Sequence, residues 1–244
     1  MKCLVLDIET APSLAYVWSI WNQNIGINQI EESGEMLCWA AKWVGKHKVT
    51  FRSVYSDGKE GMVRGLWEML DKADVVITYN GRKFDIPWAN AEFLLLDLQP
   101  PAPYQQIDLY PAVKKKFKFP SYKLDYVCQR LGIGAKVQHE GFELWKRCIA
   151  NEASAWKTMR FYNVNDVAIT ELLYERMLPW IPNIPSFAAH TQGHVCPACG
   201  SDDLQSRGYA FTQQTRYQRF QCKSCGKWSR STKGESIQIR EVAT

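Results

Sequence analysis

Cys3-Leu4-Val5-Leu6-Asp7-Ile8-Glu9-Thr10 is a short apolar run that ends in two carboxylates. Its length, its apolar content and the Ala11-Pro12 that follows mark Cys3 to Leu6 as a buried strand. In a strand, residues i and i+2 point to one face, so Asp7 and Glu9 stand side by side where the strand meets solvent. Two adjacent carboxylates repel, and one is driven toward protonation unless a cation compensates.

Two further acids have a local logic of their own. Val75-Val76-Ile77-Thr78-Tyr79 reads as a second core strand, running into Asn80-Gly81-Arg82-Lys83-Phe84-Asp85. Asn-Gly marks a turn, and Pro87 marks the start of a helix over Ile86 to Leu96. Asp85 therefore falls at a strand-to-helix junction, where open α/β sheets place their ligands. The fourth acid, Asp166, lies in a long helical stretch from about Ala153 to Met177. Tyr162 precedes it by four residues and shares its helix face. Each feature alone has a plain structural reading, Asp85 as a helix cap and Tyr162 as a core tyrosine with its hydroxyl bonded. Brought together, four carboxylates call for a divalent cation, and an oxygen-rich set suits magnesium or manganese.

Asp7-Ile8-Glu9-Thr10, Asn80-x-x-x-Phe84-Asp85 and Tyr162-x-x-x-Asp166 together resemble the three exonuclease motifs of the DEDD superfamily, in its DEDDy branch. The sister branch has a histidine where this chain has Phe161. With Ser121-Tyr122-Lys123-Leu124-Asp125-Tyr126-Val127, the pattern is similar to the proofreading domains of family B DNA polymerases. The resemblance covers roughly residues 1–180. It implies a ribonuclease H-like fold, α/β, with a mixed sheet flanked by helices. It implies 3′-to-5′ exonuclease activity on nucleic acid, DNA favoured over RNA, with single-stranded ends as substrate.

The resemblance also implies roles. Two Mg2+ or Mn2+ ions about 3.5–4 Å apart would act on the phosphodiester. Asp7 would bridge both ions, Glu9 and Asp166 would complete the water-activating site, and Asp85 would serve the other ion. Tyr162 would orient the attacking water, and Thr10 and Asn80 would contact the terminal nucleotide. A structure-specific endonuclease on the same fold is one alternative. The other is a non-catalytic adaptor that binds nucleic acid through its tail. A compact enzyme of this kind suits a phage or mobile element.

The tail is a second module. Cys196-Pro197-Ala198-Cys199-Gly200 and Cys222-Lys223-Ser224-Cys225-Gly226 are paired Cys-x-x-Cys turns. Two such turns aim four sulfurs at one point, a complete tetrahedral site for one structural Zn2+, which leaves His190 and His194 unneeded. The module resembles a zinc ribbon. Cys3, Cys38, Cys128 and Cys148 lie in apolar surroundings and read as ordinary buried thiols.

Between the cysteine pairs, Tyr209, Phe211, Arg216, Tyr217, Arg219 and Phe220 interleave aromatics with arginines, a pattern suited to bases and phosphates. Arg216 and Arg219 are the expected contacts, with a protein partner as the alternative use. The formal net charge is +5, and residues 190–244 hold eight Lys/Arg against four acids, so most of the excess sits there. A polyanionic partner follows. Lys114-Lys115-Lys116-Phe117-Lys118 is a second basic run, either a solvated face or a support for phosphates near the cleft.

Pro179, Pro182 and Pro185 stop the long helix. The expected division is 1–180 for the nuclease domain, 181–194 for a stiff proline-rich linker and 195–244 for the ribbon. No apolar run reaches membrane-spanning length, and the N-terminus lacks a signal-peptide pattern. Those features point to a cytoplasmic protein with reduced cysteines and no membrane partner. The remaining expectations are a loop over Ser13 to Gly34, strands over Leu37 to Val44 and Lys48 to Tyr55, a helix over Met62 to Lys72, a short strand over Gln106 to Leu109, and a helix over Leu124 to Leu131.

Overall fold

The computed structural model describes residues 1–189 and 193–237. The chain divides into two compact units, Lys2–Leu173 and Tyr174–Thr244.

The first unit is built around β1 (Cys3–Thr10), whose burial alternates only at its solvent end. A short ribbon follows, β2 (Leu14–Ala15) paired with β3 (Ile30–Glu32), where the sequence suggested only a loop. Next come β4 (Met36–Trp43), β5 (Val49–Ser53) and α1 (Val54–Asp71). The Lys48 to Tyr55 run thus ends as a strand at Ser53, whose hydroxyl caps α1 by accepting the Ser56 N–H. Gly58, at φ 68°, breaks α1 near its start, so the apolar period becomes clear only beyond it. Then follow β6 (Val75–Thr78), α2 (Asp85–Leu95), β7 (Gln105–Asp108), α3 (Leu109–Lys116), α4 (Leu124–Arg130), α5 (Phe142–Ile149) and α6 (Ala153–Met177).

Five strands form one mixed sheet in the order β5-β4-β1-β6-β7. β4 lies antiparallel to β1 and β5, while β6 lies parallel to β1 and β7. Leu4, Leu6 and Ile8 of β1 join one core with Met62, Leu66 and Leu70 of α1 and Ile86, Ala89 and Phe93 of α2. A second core unites Leu37 and Cys38 of β4 with Leu144 and Cys148 of α5 and Trp156, Met159 and Tyr162 of α6. Period-2 alternation thus sends Asp7 and Glu9 to the face opposite Leu6 and Ile8. Truncating a fully buried leucine such as Leu6 to alanine would cost about 2–5 kcal/mol.

The second unit carries β8 (Leu204–Phe211), β9 (Thr215–Cys222), β10 (Trp228–Arg230) and β11 (Glu235–Ser236). β9 pairs antiparallel with the other three. The proline-rich segment is tied to the two cysteine turns: Lys227 Nζ donates to the Ile181 carbonyl at 2.5 Å, and the Phe187 N–H donates to the Pro197 carbonyl at 2.8 Å. Linker positions 190–192, His190 among them, and ribbon positions 238–244 lie outside the described residues. Among the described residues, no helix is long and apolar enough to cross a membrane.

Candidate active site

Asp7 and Glu9 lie on one face of β1, and α6 brings Asp166 to them. The ligand oxygens of these three residues all lie within 4.8 Å of one another. Asp85, the first residue of α2, stands outside that group but is bound to the same strand. Its Oδ1 accepts the Ile8 N–H at 3.0 Å, between the two acids of β1. Thus the four predicted acids converge, three of them as a tight set.

The turn before Asp85 explains the convergence. Asn80 adopts φ 70°, a left-handed conformation that asparagine tolerates. At Gly81 a Cβ would fall 2.4 Å from the Thr78 side chain, so only glycine fits. The Asp108 carboxylate then accepts the N–H groups of Asn80 (2.7 Å), Arg82 (3.2 Å) and Tyr110 (3.1 Å). One side chain thereby locks the β6 turn to the start of α3.

Two residues that sequence reasoning passed over complete the site. Asn163 is fully buried on α6; its Nδ2 donates to Asp7 Oδ2 at 2.7 Å and to the Asp7 carbonyl at 3.3 Å. Lys136 comes from the loop between α4 and α5. Its Nζ donates to the Tyr162 hydroxyl at 2.9 Å and forms an ion pair with Asp166. That loop is fixed by Asp125, which accepts the Lys136 N–H at 2.7 Å. The Tyr162 ring packs edge-on against His139, with centroids 4.7 Å apart, so ring and hydroxyl are both held. Asn163 precedes Asp166 by three residues on a helix, a spacing that shares a face and could have signalled it. A lysine in a loop carries no comparable signal.

The electrostatics follow from burying so many acids. Burial raises Asp7 well above the usual carboxylate range, and Asp85, Glu9 and Asp166 push it further. Burial lifts Glu9 to about 8, against the pull of Lys136 and with Asp166 and Asp85 adding. Asp85 is lifted by burial to about 7, opposed by the Ile8 N–H. Burial is the largest single influence on Lys136 and would lower it, but Asp166, Tyr162 and Asp7 together outweigh it and raise the ammonium above its ordinary range. One ammonium cannot balance four carboxylates, and buried Asp166 Oδ1 has no hydrogen-bond partner. A hard divalent cation fits this donor set: carboxylate oxygens only, tightly grouped, under-compensated in charge, with one buried oxygen unused.

Asp7 and Lys136 open into a cleft of about 790 Å3, which Tyr79, Asn80, Lys83, Tyr122 and Lys123 also line. Tyr79 donates its hydroxyl to the Tyr122 carbonyl at 2.5 Å, closing the wall. Thr10 ends β1 after a register shift, and it is not among the residues lining this cleft.

Residues 4–178 match the RNase_H superfamily. The chain belongs to that superfamily. Among solved structures, it is similar to the family B DNA polymerase from the hyperthermophilic archaeon Pyrobaculum calidifontis, with a TM-score of 0.54 at 19% sequence identity. The likeness covers 73% of this chain and 24% of that polymerase, so the chain spans about a quarter of its relative's length. No curated protein matches the chain.

The cysteine module lies beyond the RNase H match. The sulfurs of Cys196, Cys199, Cys222 and Cys225 all lie within 4.8 Å of one another. Two separations, Cys196 to Cys225 and Cys199 to Cys222, are 3.7 Å. A tetrahedron with Zn–S bonds of about 2.3 Å has edges of about 3.8 Å, so the thiols suit one zinc ion. Gly200 and Gly226, both at φ 77°, close the two turns, their N–H groups donating to Cys196 and Cys222 carbonyls at 2.9 Å. His194 instead packs edge-on against Phe220, at 4.5 Å.

The two arginines expected to bind nucleic acid differ in their surroundings. Arg216 forms an ion pair with Glu235 at 2.6 Å and lies over the Tyr209 ring. Arg219 lies over Trp228 at 4.8 Å, with Arg207 on the same ring and Arg230 over Tyr217. Two arginines, Arg207 and Arg219, therefore meet on Trp228, whereas the charge of Arg216 is paired with Glu235.

Proposed function

We propose that the chain is a metal-dependent nuclease that removes nucleotides from 3′ ends, DNA in preference to RNA. The observation that carries this reading is the tight set of Asp7, Glu9 and Asp166 beside the Tyr162 hydroxyl, with Asp7 facing an open cleft. Superfamily membership and the polymerase-like fold support a nuclease in general terms.

Asp7, Glu9, Asp166 and Asp85 would hold Mg2+ or Mn2+, which when bound neutralises the phosphodiester and polarises it toward attack. The chain's own groups do the positioning. Asn163 fixes the Asp7 carboxylate through its Oδ2, and Asp7 lines the cleft. The hydroxyl of Tyr162, held by Lys136, sits one helical turn from Asp166, where it would orient the attacking water. The Lys136 ammonium would stabilise negative charge as it develops on the scissile phosphate. Asn80 and Tyr122 would receive the terminal nucleotide. The division into a nuclease domain (1–180), a connecting segment (181–194) and a zinc-bearing ribbon (195–244) belongs to the same proposal. The Trp228 face of the ribbon would bind nucleic acid.

A single-stranded oligonucleotide labelled at either end, alongside a circular single strand, tests the reading. Release of labelled mononucleotide from the 3′ end, with the circle intact, is expected in Mg2+ or Mn2+. Cutting of the circle would make the enzyme an endonuclease. No cleavage of any substrate would leave the ribbon as the working part.

A further inference from the structure

We propose that a second groove, outside the acid site, is a phosphate track for the strand behind the terminal nucleotide. This inference rests on the nuclease reading and assigns a ligand class to a surface which that reading leaves unused. The groove has a volume of about 570 Å3 and is lined by Arg82, Lys83, Lys114 and Lys115, together with Asn80, Asp108, Tyr110 and Pro111. Asn80, Lys83 and Tyr110 also line the cleft that opens from Asp7, so the two hollows are contiguous.

The local structure explains why the lysines face outward together. Leu109 and Val113 of α3 are fully buried, four residues apart on one helix face. Lys114 and Lys115 emerge away from that stripe and are exposed. Cations at a helix C-terminus are favoured by the helix dipole, which is sufficient reason for lysines at that position. It does not account for their lining a concavity continuous with the cleft.

Charge decides the occupant. Four cations line the groove against one acid, and that acid, Asp108, is almost fully buried with both oxygens taken by three backbone N–H groups. Arg82 is anchored by donating to the Gln106 carbonyl at 2.6 Å. Lys83, Lys114 and Lys115 have no ion-pair partner among the described residues. Unpaired ammonium groups in a groove, with an aromatic ring and a proline between them, suit a sugar-phosphate backbone. Lysines contact phosphates as point charges without reading bases, so binding here is independent of sequence.

The test uses the full chain and the double variant Lys114→Gln/Lys115→Gln, with Lys114→Arg/Lys115→Arg as the control that keeps charge. Binding of a fluorescent single-stranded oligonucleotide of about twelve residues, within the range that single-strand modules cover, is titrated against salt in EDTA. The Gln variant should bind about 10–30-fold more weakly at 0.1 M salt, and its log–log salt slope should be shallower by about 1.4, for two phosphates at about 0.7 each. The Arg variant should match wild type. Hydrolysis of a dinucleotide, whose single phosphodiester is the one cut at the acid site, should be equal in all three proteins. Wild-type affinity and slope in the Gln variant would overturn the track while leaving the nuclease reading intact. Equal losses on dinucleotide and oligonucleotide would also overturn it, since the lysines would then act on the acid site. Failure of the wild-type chain to bind or cut either substrate would remove the nuclease reading and the track together.

Discussion

The Lys136 ammonium and the Tyr162 hydroxyl are hydrogen bonded at 2.9 Å, and the same ammonium is ion-paired with Asp166 one helical turn away. A loop residue thereby joins the two α6 side chains that the resemblance singles out. The bond orients the phenol, since the hydroxyl accepts from lysine and keeps its own proton to donate.

Lys136→Met should therefore impair chemistry more than binding. Removing one preorganised donor from such a site costs about 10²–10³-fold in kcat. The single-turnover rate at saturating substrate and metal measures this, and Lys136→Arg should recover part of it. An unchanged rate in the Met variant, with its circular dichroism also unchanged, would reduce Lys136 to a surface cation.

The buried acids predict an inverted pH dependence of stability without metal. Glu9 ionises near 4.5 when exposed and at about 8 in the fold. The native state therefore holds more protons than the unfolded state between these values, and stability falls as pH rises through that window. Asp85, raised to about 7, acts in the same direction. In EDTA the melting temperature of the metal-free chain should decline from pH 5 toward pH 8. With Mn2+ the decline should shrink or reverse, because a cation binds the ionised carboxylates and binding strengthens with pH. Parallel pH profiles with and without Mn2+ would show that the acids hold no metal.

Cys222→Ser should release zinc and unfold the four-cysteine sheet while sparing Lys2–Leu173. Structural zinc supplies about 10–16 kcal/mol in small zinc-dependent modules, more than four short strands can replace. Elemental analysis of the purified wild-type chain should find one zinc. Calorimetry should show the variant losing one transition and keeping the other. A variant with full zinc content, or one that loses both transitions, would contradict the assignment.

Much of the site was legible because its acids sit on regular elements. Period-2 alternation put Asp7 and Glu9 on one face, and the long helical pattern located α6 as Ala153–Met177. The start of α1 and the existence of α3 and α5 were not legible, whereas the end of α1 at Asp71 was. α3 begins at Leu109, which reads as the end of a strand, and closes in three lysines that interrupt any apolar period. α5 is short, with only Leu144 and Cys148 buried. Lys136 and Asp108 act through contacts between distant segments, which spacing along the chain does not encode. The ion pair of Arg216 with Glu235 was likewise not legible, because Glu235 lies far along the sequence and meets it across the β9–β11 pairing.

Asp7 is the residue on which the metal-dependent chemistry hangs, since it shares the tight acid set, is held by Asn163 and lines the cleft. Asp7→Asn removes its charge at nearly constant shape. The measurement is release of 3′-labelled mononucleotide from single-stranded DNA in Mn2+, wild type against Asp7→Asn, with both melting curves recorded. Release by the wild type, none detectable by the variant, and a folded variant are expected. Wild-type rates of release by a folded Asp7→Asn chain would contradict this role of Asp7.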